Sequence, residues 1–350
     1  MAPIPTNEEK LARTMSSNTA QELRESLTAF AYKAGWKLTA IAPEPVARWL
    51  FTAMADVASK KGKGPEQLRR NLARVVGPEN VTKQLVRDAM RSYMRYWREA
   101  FRLPTMVGDS LVARIDAGFT QGSVERVFAA IARGKGVVVT LPHSANWDMA
   151  GVWLVAKNGE FTTVAERLKP ESLFDAFVDY RESLGFKVIA LTGAARPPME
   201  LMEEVLREGG VVCLMGERDL TGRGVLTRFF GEEATLPPGP ALLAQRTGAV
   251  LMTAGMSFTE HRTRGRWGLP RVEEGWRIHV GEPIDTDRPL EDIVQQQADE
   301  FAANIARDPA DWHILQPVWL ADLSLRRLRA MGMEQRVNRP ALDGSVEQEG

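Results

Sequence analysis

The stretch "VVVTLPHSANWDMAGVW", residues 137–153, decides the fold. It opens as a β-branched run, the pattern of a strand buried on both faces, and closes as an apolar helix. Between the two lie His143, Ser144, Asn146 and Asp148, four polar residues within six positions. A strand that feeds a helix through a polar loop is the repeating unit of an α/β sheet, and in such sheets ligands bind beyond the carboxyl ends of the strands.

The same alternation continues on both sides. "VERVFAAIARG" reads as a helix before the strand, and "FTTVAE", "FKVIAL" and "VVCLMGE" read as further strands. They are separated by the helices "ESLFDAFVDYRESLG" and "PPMELMEEVLREGG". "PALLAQRTG", "AVLMTAGMSF" and "WRIHVGEPI" follow. Repeated strand–helix–strand units require right-handed crossovers, so the expected core is an α/β fold with a mostly parallel central sheet and helices on both faces. A helical N-terminal segment precedes it, with two helices broken near Pro43 and Pro45 and a further helix over about 79–102. The expected organisation is a flexible leader at 1–18, helices at 19–104, the core at 105–332 and a disordered tail at 333–350.

Of 350 residues, 44% are apolar and 26% charged, as in a soluble globular protein. The formal charge is zero, yet residues 1–104 hold 18 Lys and Arg against 10 Asp and Glu, so the front is basic and the remainder acidic. Lys60, Lys61, Lys63, Arg69, Arg70 and Arg74 cluster there, with Trp49 and Phe51 nearby. Such a segment suits an anionic membrane surface; the plain alternative is a solvated helix face. Tyr93, Tyr96 and Trp97 beside basic residues belong to no nucleic-acid recognition module, so no nucleic-acid partner is expected. Cys213 is the single cysteine, which precludes an internal disulfide and suits a reducing compartment. The first residues lack a signal-peptide pattern, and no apolar run nears the ~20 residues that span a bilayer.

His143 and Asp148 stand five residues apart. On a regular helix five steps leave the side chains about 140° apart, so the pair meets only if His143 occupies the turn and Asp148 the first turn of the helix. Ser144 or Asn146 then caps that helix. A carboxylate that fixes one imidazole nitrogen as a donor leaves the other free to take a proton from a hydroxyl. Ser144 lacks the G-x-S-x-G surroundings of a hydrolase nucleophile; a capping role with its N–H facing a developing oxyanion is expected instead. His261, His279 and His313 are scattered, so no metal site is expected. Arg218, Asp219, Arg223 and Arg228 surround Glu217 in a segment past a strand, where arginines hold phosphate groups or form a salt-bridged solvent face.

The order H-x4-D at 143–148, then "ERLKPESLFDAFVDYRESLGFKVI", then "GERDLTGRGVLTRFFGEEATLPPGP", resembles the glycerolipid and lipid A acyltransferase superfamily. With "DPADWHILQPVW" it looks more narrowly like the actinobacterial phosphatidylinositol mannoside acyltransferases. The resemblance runs from about residue 20 to 330. It implies a peripheral enzyme at the cytoplasmic face of the plasma membrane that moves a long acyl chain, typically palmitoyl, from acyl-CoA to a mannose 6-hydroxyl of a phosphatidylinositol mannoside. No cofactor is implied beyond acyl-CoA as co-substrate. By the same resemblance His143 is the base, Asp148 its orienter and Glu217 a second acid, in "ERDL" where the superfamily has E-G-T-R. Glu166, Arg167 and Arg181 become acceptor-site candidates, with a plain helix position as the alternative for Arg181. A lysophospholipid or lipid A type acyltransferase and a catalytically silent lipid-binding protein remain the rival readings.

Overall fold

The computed structural model describes residues 34–167, 171–193, 195–264 and 270–337. The expected leader at 1–18, and the expected tail past residue 337, lie outside the described residues.

The N-terminal segment is helical. Residues 34–41 form α1, and the chain breaks at Pro43 before α2 (Glu44–Ala58), with Pro45 in its first turn, where a missing N–H costs nothing. Then come α3 (Glu66–Val76) and α4 (Lys83–Met106), the latter capped by the Thr82 hydroxyl, which accepts from the Leu85 N–H. These helices share a small core of their own: Ala55, Leu68, Leu72, Val86, Ala89 and Met90 are all buried. They are a packed layer, with Lys60, Lys61, Lys63 and Arg70 left on its exposed face. Arg74 is tied to Asp322 and Glu232 at 2.9 Å each and lies over the Trp319 ring, so it joins α3 to the far end of the chain.

After α5 (Asp109–Asp116) and α6 (Ser123–Ala132) the expected alternation appears: β1 (Val137–Leu141), α7 (Trp147–Asn158), β2 (Phe161–Ala165), α8 (Glu171–Ser183), β3 (Phe186–Ala190), α9 (Pro198–Arg207) and β4 (Val211–Met215). The order in the six-stranded sheet is β3-β2-β4-β1-β7-β8, where β7 is Val250–Arg264 and β8 is Pro270–Val280. All pairings are parallel except that of β8, an antiparallel edge strand. The protein is therefore an α/β fold with a mostly parallel sheet behind a helical N-terminal segment.

Period-two alternation sorts the strand residues between two cores. Val137, Leu141, Val211 and Met252 face the side of α5, α6 and α7, with Met149 and Trp153 packed on them. Val138, Val212 and Leu251 face the other side, against Leu206 of α9, Ala241 of α10 (Gly239–Thr247) and Phe301 of α11 (Leu290–Arg307). Burial on both faces is why these strands read as unbroken apolar runs.

The segment after β4 differs from the expected loop. Part of it folds into a two-stranded hairpin, β5 (Val225–Phe229) and β6 (Glu232–Leu236), turned by Phe230 and Gly231, both with positive φ. Two left-handed residues match the right-handed twist of the flanking strands, so a connection of this length closes without splaying them. α12 (Leu325–Ala330) lies against the hairpin, and inside the stretch expected as tail from residue 333 a 3-10 turn forms at Glu334–Arg336, Arg336 reaching Glu233 at 2.8 Å. Among the described residues no helix is long and apolar enough to cross a membrane.

Gly216 follows β4 where space is short: a Cβ there would sit 2.1 Å from the Thr140 hydroxyl and 2.8 Å from the Phe301 ring. Gly216→Val is expected to cost about 1–3 kcal/mol of stability through overpacking, read by urea denaturation. An unchanged midpoint would show that the strand ends are loosely packed.

Candidate active site

The pairing of β1 with β4 ends at Leu141 opposite Met215. Two residues further on each chain stand His143 and Glu217, so the strand register carried into the loops sets them side by side. The Gly216 N–H still donates to the Leu141 carbonyl at 3.0 Å, holding both strand ends together. Glu217 is fully buried and its Oε1 accepts from the His143 backbone N–H at 2.6 Å and from His143 Nδ1 at 2.8 Å. The Trp312 indole N–H reaches the same oxygen at 3.4 Å. Burial alone would raise the Glu217 carboxyl, but the charge and the ring and backbone hydrogen bonds of His143 outweigh it and hold the group below the usual glutamate range.

A carboxylate can only accept, so Nδ1 carries the proton and Nε2 offers its lone pair outward. The imidazole is partly open, with 29% of the side chain exposed. Trp147 meets the ring edge-on at 5.3 Å, and Tyr96 stacks on Trp147 at 4.3 Å. The orienter of His143 is thus Glu217 and not Asp148, which corrects the role expected for the aspartate.

Asp148 is engaged elsewhere. Its Oδ1 accepts from Arg181 Nε at 3.2 Å, and both side chains are largely buried. Burial opposes the Arg181 charge, yet the Asp148 carboxylate beside it raises the guanidinium above its ordinary value. Arg181 is therefore no idle helix position: α8 delivers it to the first turn of α7.

The turn between β1 and α7 is tightly specified. Asn146 caps α7, its Oδ1 accepting from the Asp148 N–H at 3.2 Å, while Ser144 is not the cap. Asn146 is wholly buried and its Nδ2 donates to Glu99 at 3.0 Å, so the amide serves the fold and is not open to substrate. The Ser144 N–H donates to the Pro142 carbonyl at 2.7 Å, and the Ala145 N–H to the Asp311 carbonyl at 2.9 Å. The Ser144 N–H is therefore spent and does not face an oxyanion as expected.

A C-terminal strap, missed in the sequence except as part of a resemblance, braces this turn. The His313 N–H donates to the His143 carbonyl at 2.8 Å, and Ser144 bridges Trp312. The Ser92 hydroxyl links Asp311 at 2.6 Å and His313 Nε2 at 2.8 Å. Burial and the nearby His143 press His313 down to about 3, and burial lifts Asp311 to about 6 despite its bonds to Ser92 and the Phe258 amide. His313 is neutral at physiological pH, which suits a bracing residue more than a proton shuttle.

The remaining candidates separate. Arg218 is half-buried beside Glu217 and has no ion-pair partner among the described residues. Asp219 is committed to its own loop: its carboxylate accepts from the N–H groups of Thr221, Gly222 and Gly224 at 3.0, 2.9 and 2.8 Å and from the Thr235 hydroxyl at 3.1 Å. Arg223 is exposed in that same loop, and Arg228 is exposed on β5, where it reaches the Gly231 carbonyl at 3.3 Å. Asp219 thus holds its loop, and Arg228 touches the hairpin turn. Glu166 and Arg167 are exposed after β2, with Arg167 Nε donating to both Glu171 oxygens at 2.9 Å. Among the described residues no group of three His, Cys, Asp or Glu is placed to hold a metal ion.

Beside this site an apolar cavity of about 100 Å3, partly open to solvent, lies between the sheet and the helices α6 and α7. Trp147, Asp148 and Arg181 line the end nearest His143, and Val137 and Val211 mark the opposite ends of the same strands. Five strand residues cover about 13 Å from first to last Cα, so the cavity runs the depth of the sheet. Cys213 also lines it, its thiol pushed up to about 12 by burial and so unreactive at neutral pH.

Comparison with known proteins agrees with this geometry. The family model described as bacterial lipid A biosynthesis acyltransferase matches residues 15–321. A phosphatidylinositol mannoside acyltransferase of Mycolicibacterium smegmatis is 50% identical over 309 residues, covering 87% of this chain and 96% of that protein. One of the same name from Mycobacterium tuberculosis is 50% identical over 303 residues, covering 86% of this chain and 91% of that protein. An α/β sheet with this histidine at its strand ends, matched along nearly its whole length, is a member of the bacterial lipid A biosynthesis acyltransferase family and an acyltransferase.

Proposed function

We propose that the protein transfers a long acyl chain, palmitoyl in the first instance, from acyl-CoA to a mannose 6-hydroxyl of a phosphatidylinositol mannoside at the cytoplasmic face of the plasma membrane. The observation that carries this reading is the pairing of His143 and Glu217 beside a deep apolar cavity. His143 Nε2 takes the hydroxyl proton as the sugar oxygen attacks the thioester carbonyl. The C–O bond forms, the C–S bond breaks, and the CoA sulfur leaves with the proton that His143 returns. Glu217 keeps the imidazole in the correct tautomer and stabilises its cationic form through this step.

The acyl chain occupies the cavity along β1 and β4, where apolar walls replace water around it. Arg218, uncommitted and next to Glu217, is the residue we assign to an anionic oxygen, of the phosphate groups or of the tetrahedral intermediate. Asp148 and Arg181, at the catalytic end of the cavity, are assigned to the acceptor sugar and its approach. The acceptor is supported by the names of the relatives, phosphatidylinositol mannoside acyltransferases, while the acyl-CoA donor and the mannose 6-position rest on the family resemblance of the sequence motifs.

Membrane contact is assigned to α2. Phe51 is buried at 7% exposure against α4, whereas Trp49 stands out at 70%, in a stripe with Val46, Leu50, Met54 and Val57. Lys60, Lys61 and Lys63, all exposed, follow directly. An apolar stripe flanked by lysines suits the interface of an anionic bilayer.

His143→Ala is expected to lower transfer by at least roughly 10²–10⁴-fold with an unchanged circular dichroism spectrum; retained turnover would remove it as the base. Arg181→Ala leaves a buried aspartate unpaired and should cost about 3–5 kcal/mol in denaturant titration. Replacing Lys60, Lys61 and Lys63 by Gln should weaken sedimentation with phosphatidylserine vesicles by about 100-fold, at about 1 kcal/mol for each lysine, and leave binding to neutral vesicles unchanged. A screen of mannoside, lysophospholipid and lipid A precursor acceptors separates the proposed acceptor from its rivals.

A further inference from the structure

Glu99 lies on α4, in the N-terminal helical segment, and no step of the proposed reaction uses it. It is buried at 4% exposure, and its two oxygens are divided. Oε1 accepts from Arg95 Nε at 2.8 Å; Oε2 accepts from Asn146 Nδ2 at 3.0 Å and from the Trp276 indole N–H at 2.9 Å. Asn146 is the cap of α7, in the turn that presents His143.

We propose that Glu99 is a positioning residue for the acyl-transfer site: through Asn146 it fixes the turn that holds His143 against Glu217. The oxygen and nitrogen ends of a side-chain amide are nearly alike in shape, so its orientation is set by its partners. A carboxylate only accepts, which forces the Asn146 nitrogen toward Glu99 and its oxygen toward the Asp148 N–H. Were the amide reversed, its NH2 would face that N–H and the cap would be lost. The strain beside it raises the stakes, because Ala145 is held at φ 50°, a left-handed conformation that an alanine leaves when its neighbours release it. Ala145 lies one residue from Asn146 and two from His143, so the turn that relaxes is the one that aims the imidazole.

Glutamine at position 99 would remove this direction. If its oxygen faced Asn146, its NH2 would face the Arg95 Nε–H, donor against donor; if its NH2 faced Asn146, that amide would have to reverse. The proposal rests on the acyl-transfer reading for its kinetic readout alone, and a second readout does not need substrate. In the full-length protein the low-field proton resonance of the His143–Glu217 bond, assigned by its loss in His143→Ala, reports the geometry directly.

In Glu99→Gln that resonance should shift or vanish, and kcat should fall roughly 10- to 100-fold with KM for donor and acceptor within about twofold, the scale of a displaced catalytic group. Trp276→Phe removes a bond to the same Glu99 oxygen but spares Asn146, and should leave both resonance and kcat near wild type. A glutamine NH2 turned toward residue 146 would also meet the Trp276 N–H, donor against donor, so the double variant Glu99→Gln/Asn146→Asp is made in the Trp276→Phe background. There the new aspartate caps α7 and accepts from the glutamine amide, so the resonance should return and kcat recover more than half of its loss on a logarithmic scale. This double variant also decides the matter if Glu99→Gln alone does not fold. Wild-type resonance and kcat in Glu99→Gln, equal losses in Glu99→Gln and Trp276→Phe, or no recovery in the double variant would overturn the proposal. A shifted resonance in a protein family of variants none of which acylates a mannoside would leave Glu99 standing and remove the proposed acceptor.

Discussion

The register between two parallel strands governs the site. Leu141 pairs with Met215, and the bond from the Gly216 N–H to the Leu141 carbonyl extends that pairing beyond the sheet. Glu217 and His143 therefore meet without any loop having to search for the contact. A slip of one residue would turn each strand's apolar set to the opposite core and take Glu217 from His143 at the same time. Chemistry and packing are specified by one alignment.

Charge at the site is divided among buried partners. Glu217 spends its charge on His143, Asp148 on Arg181, and Glu99 on Arg95. Asp148 and Glu99 have counter-ions and Glu217 has hydrogen-bond donors on its charged oxygen, since an uncompensated buried charge costs several kcal/mol. The H-x4-D motif thus contains two separate devices, a histidine belonging to the β4 carboxylate and an aspartate belonging to α8. Their short spacing reflects a shared turn, not a shared bond.

The sheet was legible because burial on both faces writes itself as β-branched runs, and the turn position of His143 followed from the helical angle between residues 143 and 148. The identity of its partner did not follow, because Glu217 is brought near by strand order, and nothing in a linear string says that β4 lies beside β1. The signal existed in a weaker form: both residues stand two places past an apolar run, "VVVTL" and "VVCLM". Asp219 misled for a related reason, since an acid among arginines reads as a ligand until its oxygens are seen to bind their own loop. His313 was weighed only as a metal ligand, and its use of a backbone N–H leaves no mark on side-chain spacing.

The strap at 311–313 gives the protein a direction in time. The His143 carbonyl and the Ala145 N–H are held by backbone groups from near the end of the chain. During synthesis the sheet can begin to assemble as β1, β2 and β4 emerge, but the turn that carries His143 has no brace until residues 311–313 have left the ribosome. Contacts so distant in sequence form late and slowly, after loop closure has been met by the rest of the core. A nascent chain can thus hold most of its hydrophobic core while its histidine is still unaimed.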